Sequence, residues 1–163
     1  MLSSHTGFAR PYGTYPYGDY KESDRLIFPL SNDDRRLPRK ERVLGVLVGE
    51  KAKVYPIAGF SPGITVVNDT FNNTSLVVVG SMARNFAVAF ESTTIQGEEL
   101  HSFTALENEL PVVMVDAGGT KWDIFGRAVE GPRRGEELQS VRSFTAYWFA
   151  WGAFYPGVEI HGQ

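Results

Sequence analysis

From residue 42 onward, apolar side chains recur with a period of two, in short runs broken by turn residues, which predicts strands. RVLGVLVGEKAKVYPI reads as a β-hairpin whose limbs, Val43 to Val48 and Lys51 to Ile57, meet at Gly49-Glu50. In the second limb Ala52, Val54 and Pro56 are expected on one face, Lys53 and Tyr55 on the other. Further strands are predicted at Ile64–Asn68, Leu76–Val79 and Phe86–Phe90, with a turn in DTFNNTS between the first two. FAVAF alternates large with small residues, the mark of one tightly packed face. LHSFTAL, LPVVMVDA, KWDIF and GRAVE extend the series, with a turn at residues 116–120, Asp-Ala-Gly-Gly-Thr.

Two segments break this rhythm. In SFTAYWFAWGAFYPG, Phe144, Tyr147, Trp148, Trp151, Phe154 and Tyr155 recur three and four apart. That spacing predicts a helix over 143–155, with Ser143 as N-cap and Pro156-Gly157 as terminator. The helix is apolar nearly all round, so it must lie in the core or under a partner. Residues 1–37 show no period, and PYGTYPYGDY mixes tyrosines with prolines and glycines that break helix and ladder alike. They read as an extended arm ahead of a β-rich domain over 38–163. The arm is too apolar for a solvated tail, so Tyr12, Tyr15, Tyr17, Tyr20 and Phe28 are expected to lie against this domain or a neighbouring chain. The fold class is therefore mainly β: a single barrel-like or two-layer antiparallel sheet domain, with one short aromatic C-terminal helix and an extended N-terminal arm.

Length and composition narrow the function. With 163 residues the chain fits one domain. No cysteine is present, which removes disulfides, thiol nucleophiles and thiolate metal sites together. Net charge is −3, distributed as +2 over residues 1–42 and −5 over the remainder, so no global basic field recruits nucleic acid. No apolar run approaches the roughly 20 residues of a bilayer-spanning helix. MLSSHTGFARPYG lacks the charged-then-apolar pattern of a secretory signal, as expected of a protein made without one or of a mature or partial form.

Several motifs occur together and in order: DRRLPRKERVLGV, AKVYPI, VVNDT, KWDIFGRAVEGP and YWFAWGAFYPGVEI. In these the chain resembles the bacterial and archaeal family catalogued as domain of unknown function 3179, over about residues 34–161. The resemblance marks Trp122, Phe125, Gly126, Arg127, Trp148, Trp151 and Phe154 as family-motif core. It implies an extracytoplasmic location, because relatives are commonly exported or tethered outside the cytoplasm, and it implies no reaction. One branch of the family carries a cysteine pair where Gly80-Ser81-Met82-Ala83 stands here, and a histidine shortly before VNDT where this chain has GFSPGIT. The chain resembles the cysteine-free branch.

Candidate chemistry is sparse. His5, His101 and His161 have no ligand spacing, and a zinc site needs three or four ligands. Asp116 and Asp123 flank a hairpin tip that calcium could occupy, although Asp-Ala-Gly-Gly is first a turn sequence. VGSMA departs from a nucleophile elbow, and GVLVGEK lacks a phosphate cradle. The pairs Glu98-Glu99, Glu107/Glu109 and Glu136-Glu137 read as solvated loops. The run Arg35, Arg36, Arg39, Lys40, Arg42 is offset by Asp33, Asp34 and Glu41, as expected of salt bridges at the arm's root. Asn68, Asn72 and Asn73 open glycan acceptor sequons within an Asn/Thr-rich turn.

These readings favour a non-catalytic, extracytoplasmic structural domain. Its expected partners are proteins, by self-association or within a surface complex or filament linked through the arm. No cofactor, metal or nucleic acid is expected. The alternative is a small-ligand or metal-binding module, possibly enzymatic in character, with a pocket near Trp122–Arg127 and the 147–154 helix.

Overall fold

A strand that is apolar at every position must be covered on both faces, and this molecule meets that demand by stacking sheets. The computed structural model describes residues 13, 17–21, 23–27, 29–30 and 32–163. A 3-10 turn, Gly18–Lys21, precedes the β series. The strands are β1 (Arg42–Val48), β2 (Lys51–Pro56), β3 (Thr65–Phe71), β4 (Thr74–Ser81), β5 (Phe86–Thr94) and β6 (Thr104–Ala105). They continue with β7 (Val112–Val115), β8 (Lys121–Asp123), β9 (Ala128–Glu130), β10 (Leu138–Ser140), β11 (Arg142–Tyr147) and β12 (Glu159–Ile160). One helix, α1 (Trp148–Phe154), lies between the last two.

Three four-stranded sheets result, in the orders β11-β1-β2-β12, β10-β5-β4-β3 and β6-β7-β8-β9. Every pairing is antiparallel except β12 on β2. The fold is mainly β, as the period-two pattern predicts, and its sheets layer face to face without closing into a barrel.

Side-chain alternation sorts the interior into three clusters. Leu44, Val46, Tyr55, Leu76, Val78, Ala87 and Ala89 fill the space between the first and second sheets. Val77 and Val79 point the other way, toward Val113, Met114 and Trp122 of the third sheet. Val43, Leu47, Ala52 and Val54 meet Trp148 and Trp151 of α1 on the outer face of the first sheet. The second sheet is thus a wall packed on both sides, with Leu76 to Val79 fully buried. FAVAF follows suit with two packed faces, not one: Ala87 and Ala89 face the first sheet, and Phe86, Val88 and Phe90 face the third.

The expected helix over 143–155 is shorter than predicted. Residues 142–147 pair with β1, in register from Arg42↔Tyr147 to Leu47↔Arg142, and α1 starts only at Trp148. β1 is covered on both faces and leaves no water for its second edge, so its backbone groups claim a partner strand over the three-and-four spacing. Ser143 therefore caps nothing. The first helical amides, Trp148 N and Phe149 N, instead donate to the carbonyls of Glu41 and Arg39 at 2.8 and 2.9 Å.

Loops differ from expectation in similar ways. The turn in DTFNNTS narrows to Asn72-Asn73, both left-handed at φ 46° and 63°, with β3 and β4 running up to them. Asparagine is the side chain that tolerates this backbone best after glycine. Asn73→Val is therefore expected to cost about 1–2 kcal/mol in urea unfolding, while Asn73→Gly stays near the parent. The predicted strand in LHSFTAL shrinks to Thr104–Ala105, because Ser102 is left-handed at φ 58° and Phe103 is held by Asn68.

Candidate functional site

The two sides of α1 differ. Trp148 and Gly152, one turn apart, receive the root of the arm. Asn32 Nδ2 donates to the Gly152 carbonyl at 2.8 Å, and Trp148 Nε1 donates to the Asp34 carbonyl at 2.8 Å. The Arg36 guanidinium donates to the Val158 carbonyl and lies 5.3 Å from the centre of the Trp148 ring. Ion pairs fasten the same stretch: Arg35 and Arg39 to Asp33, Arg36 to Asp34, Arg39 to Asp24. The Arg39 and Arg35 hydrogen bonds hold the Asp33 carboxyl far below the usual range, and Arg36 lowers that of Asp34. Lys40 donates to the carbonyls of Tyr20 and Ser23. Arg35, Arg36 and Arg39 of the basic run thus form local ion pairs at the arm's root, and Lys40 binds backbone carbonyls there.

The other side of α1 is open. Trp151 lies flat on β1 at Gly45, where any Cβ would fall inside its indole ring. It stacks on Phe144 of β11 at 4.4 Å, and the Tyr155 ring meets it at a tilt, 4.9 Å away. These rings, with Ala150 and Phe154, line a groove of about 280 Å³. Phe154 is 79% exposed and Phe144 is 47% exposed. The groove runs beside β11, an edge strand whose outer side carries no ladder among the described residues.

The residues singled out by sequence divide between this surface and elsewhere. Tyr12, Tyr15 and Phe28 lie outside the described residues. Tyr17 is exposed, with its ring 6.3 Å from that of Tyr20, and the Lys40 ammonium sits 3.5 Å above the Tyr20 ring. Trp122, Trp148 and Trp151 are buried. Phe125 and Phe154, residues of the same family motifs, stand on the surface. Phe125 sits in a tight turn whose amides, Phe125 N and Arg127 N, both donate to Asp123 Oδ1, which leaves the ring no neighbouring layer. Gly126 takes φ 79° in that turn, and a Cβ there would meet the Phe90 ring at 2.7 Å. Arg127 donates to Glu137 at 3.1 Å. Among the described residues Trp122 and α1 belong to separate cores. Trp122 packs beyond the second sheet, and Trp148 and Trp151 pack outside the first.

The acidic candidates are committed to structure. Asp116 is buried, and it accepts Gly118 N and Thr120 N on Oδ1 at 2.8 and 3.0 Å and Trp122 Nε1 on Oδ2 at 3.0 Å. Oxygens facing N–H donors are poor cation ligands. Among the described residues no three His, Asp or Glu side chains gather as metal ligands. The described histidines lie apart, with His101 beside a polar cleft and His161 against Tyr55.

The sequence reading missed a polar cluster at VNDT. Asp69 Oδ2 takes the Tyr55 hydroxyl at 2.7 Å and the Lys53 ammonium at 2.6 Å, with His161 Nδ1 at 3.5 Å. Burial pushes the Asp69 carboxyl up, but the Lys53 and Tyr55 hydrogen bonds outweigh it and leave it below the usual range. Burial and the same bond push the Tyr55 hydroxyl far up, so this phenol only donates. Polar residues in the middle of an apolar strand were the available signal. A depressed carboxyl stabilises the fold above its unfolded pKa of about 3.9 and loses that contribution as pH falls through the lower folded value. Asp69→Asn is accordingly expected to flatten the loss of stability below about pH 4, measured as urea midpoint against pH.

Asn68, also in VNDT, binds the Phe103 backbone twice at 2.8 Å, and Asn72 Nδ2 donates to the Val48 carbonyl. Two of the three acceptor amides are thus in use, and Asn73 is exposed at the turn.

A model for a family described as a protein of unknown function, DUF3179, matches residues 1–158. The chain belongs to this family. No curated protein and no solved structure matches it. Gly80-Ser81-Met82-Ala83 and the GFSPGIT stretch adjoin in space. Ser81 Oγ donates to the Pro62 carbonyl at 2.8 Å, and Met82 N donates to the Ser61 carbonyl at 3.0 Å. Between them the Phe60 ring packs on Gly80. An aromatic plug and a structural serine occupy the place.

Proposed function

We propose that this DUF3179 member is a non-catalytic, extracytoplasmic interaction domain, built as a body over 38–163 and an arm over 1–37 that links it to itself or to a larger assembly. The observation that carries this reading is the aromatic groove beside the free edge of β11, where Phe144 and Phe154 are exposed, Tyr155 is half-buried and the buried Trp151 forms the floor. Exposed aromatics gathered over a groove mark contact surfaces, since they bury large area at low entropic cost. The acidic groups support it from the other direction. Asp69, Asp116 and Asp123 are each tied to donors that hold a turn or a strand, an arrangement that favours rigidity over proton transfer. The extracytoplasmic setting follows the habit of the relatives.

The test compares the full chain with a deletion of residues 1–31, which spares the Asn32 and Asp34 contacts to α1. Light scattering on a sizing column is expected to show association of the full chain at high concentration and a folded monomer after deletion. An unchanged mass would remove the arm from the account, and recovery of the protein from the cytoplasm of its native host would remove the location.

A further inference from the structure

We infer that the polar cleft at one end of the second sheet binds a small, neutral, polyhydroxylated ligand, a sugar ring or an open-chain polyol. The cleft measures about 310 Å³, at the lower end of the range for small-ligand sites. Its floor is a row of hydroxyls. Thr70 of β3 stands opposite Ser75 of β4, and one step beyond the Leu76↔Glu91 pair sets Ser75 opposite Ser92 of β5. By alternation this row shares the face of Val77, Val79 and Phe90, which meets the third sheet. The facing wall is the segment that crosses from β5 to β3, with His101 and Ser102. Both of its ends are held. Leu100 N donates to the Ser92 carbonyl at 2.8 Å, and Asn68 of VNDT binds both backbone groups of Phe103 at 2.8 Å.

The deciding group is Ser92. It is 6% exposed and lines the cleft, yet its hydroxyl has no hydrogen-bond partner among the described residues. Ser81 and Thr94, which are also buried, spend theirs on the Pro62 carbonyl and the Glu98 amide. A buried hydroxyl left unpaired costs free energy that an incoming partner restores. The side chains of Thr70, Ser75, His101 and Ser102 likewise have no hydrogen bond or ion pair among the described residues. Hydroxyls donate and accept, and a neutral imidazole divides the two roles between its nitrogens. The hydroxyls of a polyol do both as well, so each contact can be matched in either direction. Charged ligands fit worse. No lysine or arginine lines the cleft, and its one carboxylate, Asp69, is already matched by Lys53 at 2.6 Å. No aromatic ring is there to stack on a sugar face, so binding is expected to be weak, with a Kd of about 1–10 mM.

Amide NMR on the isotope-labelled full chain tests this, with glucose, galactose, mannose, sorbitol and sodium phosphate as separate probes. At least one polyhydroxy probe is expected to shift the amides of Ser75, Ser92, His101 and Ser102 saturably. Tighter binding of a sugar than of sorbitol identifies a glycan unit as the source, and the reverse order identifies a free polyol. Ser92→Ala removes a hydroxyl that bonds nothing in the fold, so the spectrum should stay that of a folded chain while affinity falls about 10-fold, the share of one hydrogen bond. Ser75→Ala is expected to act in the same direction. Silence of every polyhydroxy probe up to about 100 mM, well above the expected Kd, overturns the inference. So does a stronger response of the same amides to phosphate, which would make the ligand an anion, and so does unaltered affinity in Ser92→Ala. None of these outcomes depends on the arm or on the α1 groove, so the assembly reading stands or falls separately.

Discussion

Asp116→Ala is expected to lower stability by about 4 kcal/mol, close to the largest effect that a single substitution produces. The carboxylate accepts three N–H groups, from Gly118 at the exposed tip of the turn and from Thr120 and the Trp122 indole, which are buried. Removing the acceptor strands three donors at about 1–3 kcal/mol each, part of which the turn recovers by relaxing toward water. Trp122 is fully buried against Val77 and Val79, so its indole cannot turn outward without opening the second core. Asp116→Asn keeps one acceptor oxygen and should cost about half as much. Urea unfolding measures the difference, and near-ultraviolet circular dichroism should show the Trp122 signal weakening in the alanine variant first. A loss under about 1 kcal/mol would mean that the turn stands without its carboxylate.

Gly45→Ala is the second large effect, and it acts through volume. Gly45 faces Phe144 across the β1–β11 ladder and forms the seat of the Trp151 ring. A methyl group there overlaps the six-membered ring of a side chain that is 1% exposed and held between Phe144 and Tyr155. The ring cannot swing aside into solvent, so the cost is expected at about 3 kcal/mol, the upper end for overpacking a core. Trp151→Leu in the same chain should recover part of the loss, because the two substitutions share one space and are not additive. Gly45→Ala also lifts the floor of the groove. The same variant should therefore weaken self-association at concentrations where it is still folded.

The sequence was a good guide where a single local rule decided the structure. Gly49-Glu50 closes the β1–β2 hairpin where the alternation placed it, and the two faces of β2 separate Ala52 and Val54 from Tyr55. It misled where a partner distant along the chain decided. Residues 143–147 carry a helical spacing of rings, yet the unmet edge of β1, a hundred residues earlier, draws them into a strand. β10 and β12 are short and polar on one side, and they exist only because β5 and β2 present edges to them. The aromatic content of α1 was legible, but the partition of its rings was not. Trp151 goes inward because position 45 lacks a side chain, and Phe154 stays outside because no layer covers that side. The Asp69 cluster escaped notice for a similar reason: Lys53, Tyr55 and His161 converge on it from β2 and the C-terminal end.

The double-sided second sheet has a consequence for how this protein tolerates change. The core under α1 and the core around Trp122 share no side chain, and a fully packed partition stands between them. Strain introduced at one end has no lever on the other. A lineage can thus rebuild the α1 end to suit a new neighbour while the far hairpins keep their shape, much as a bulkhead lets one compartment be refitted while the next stays sealed.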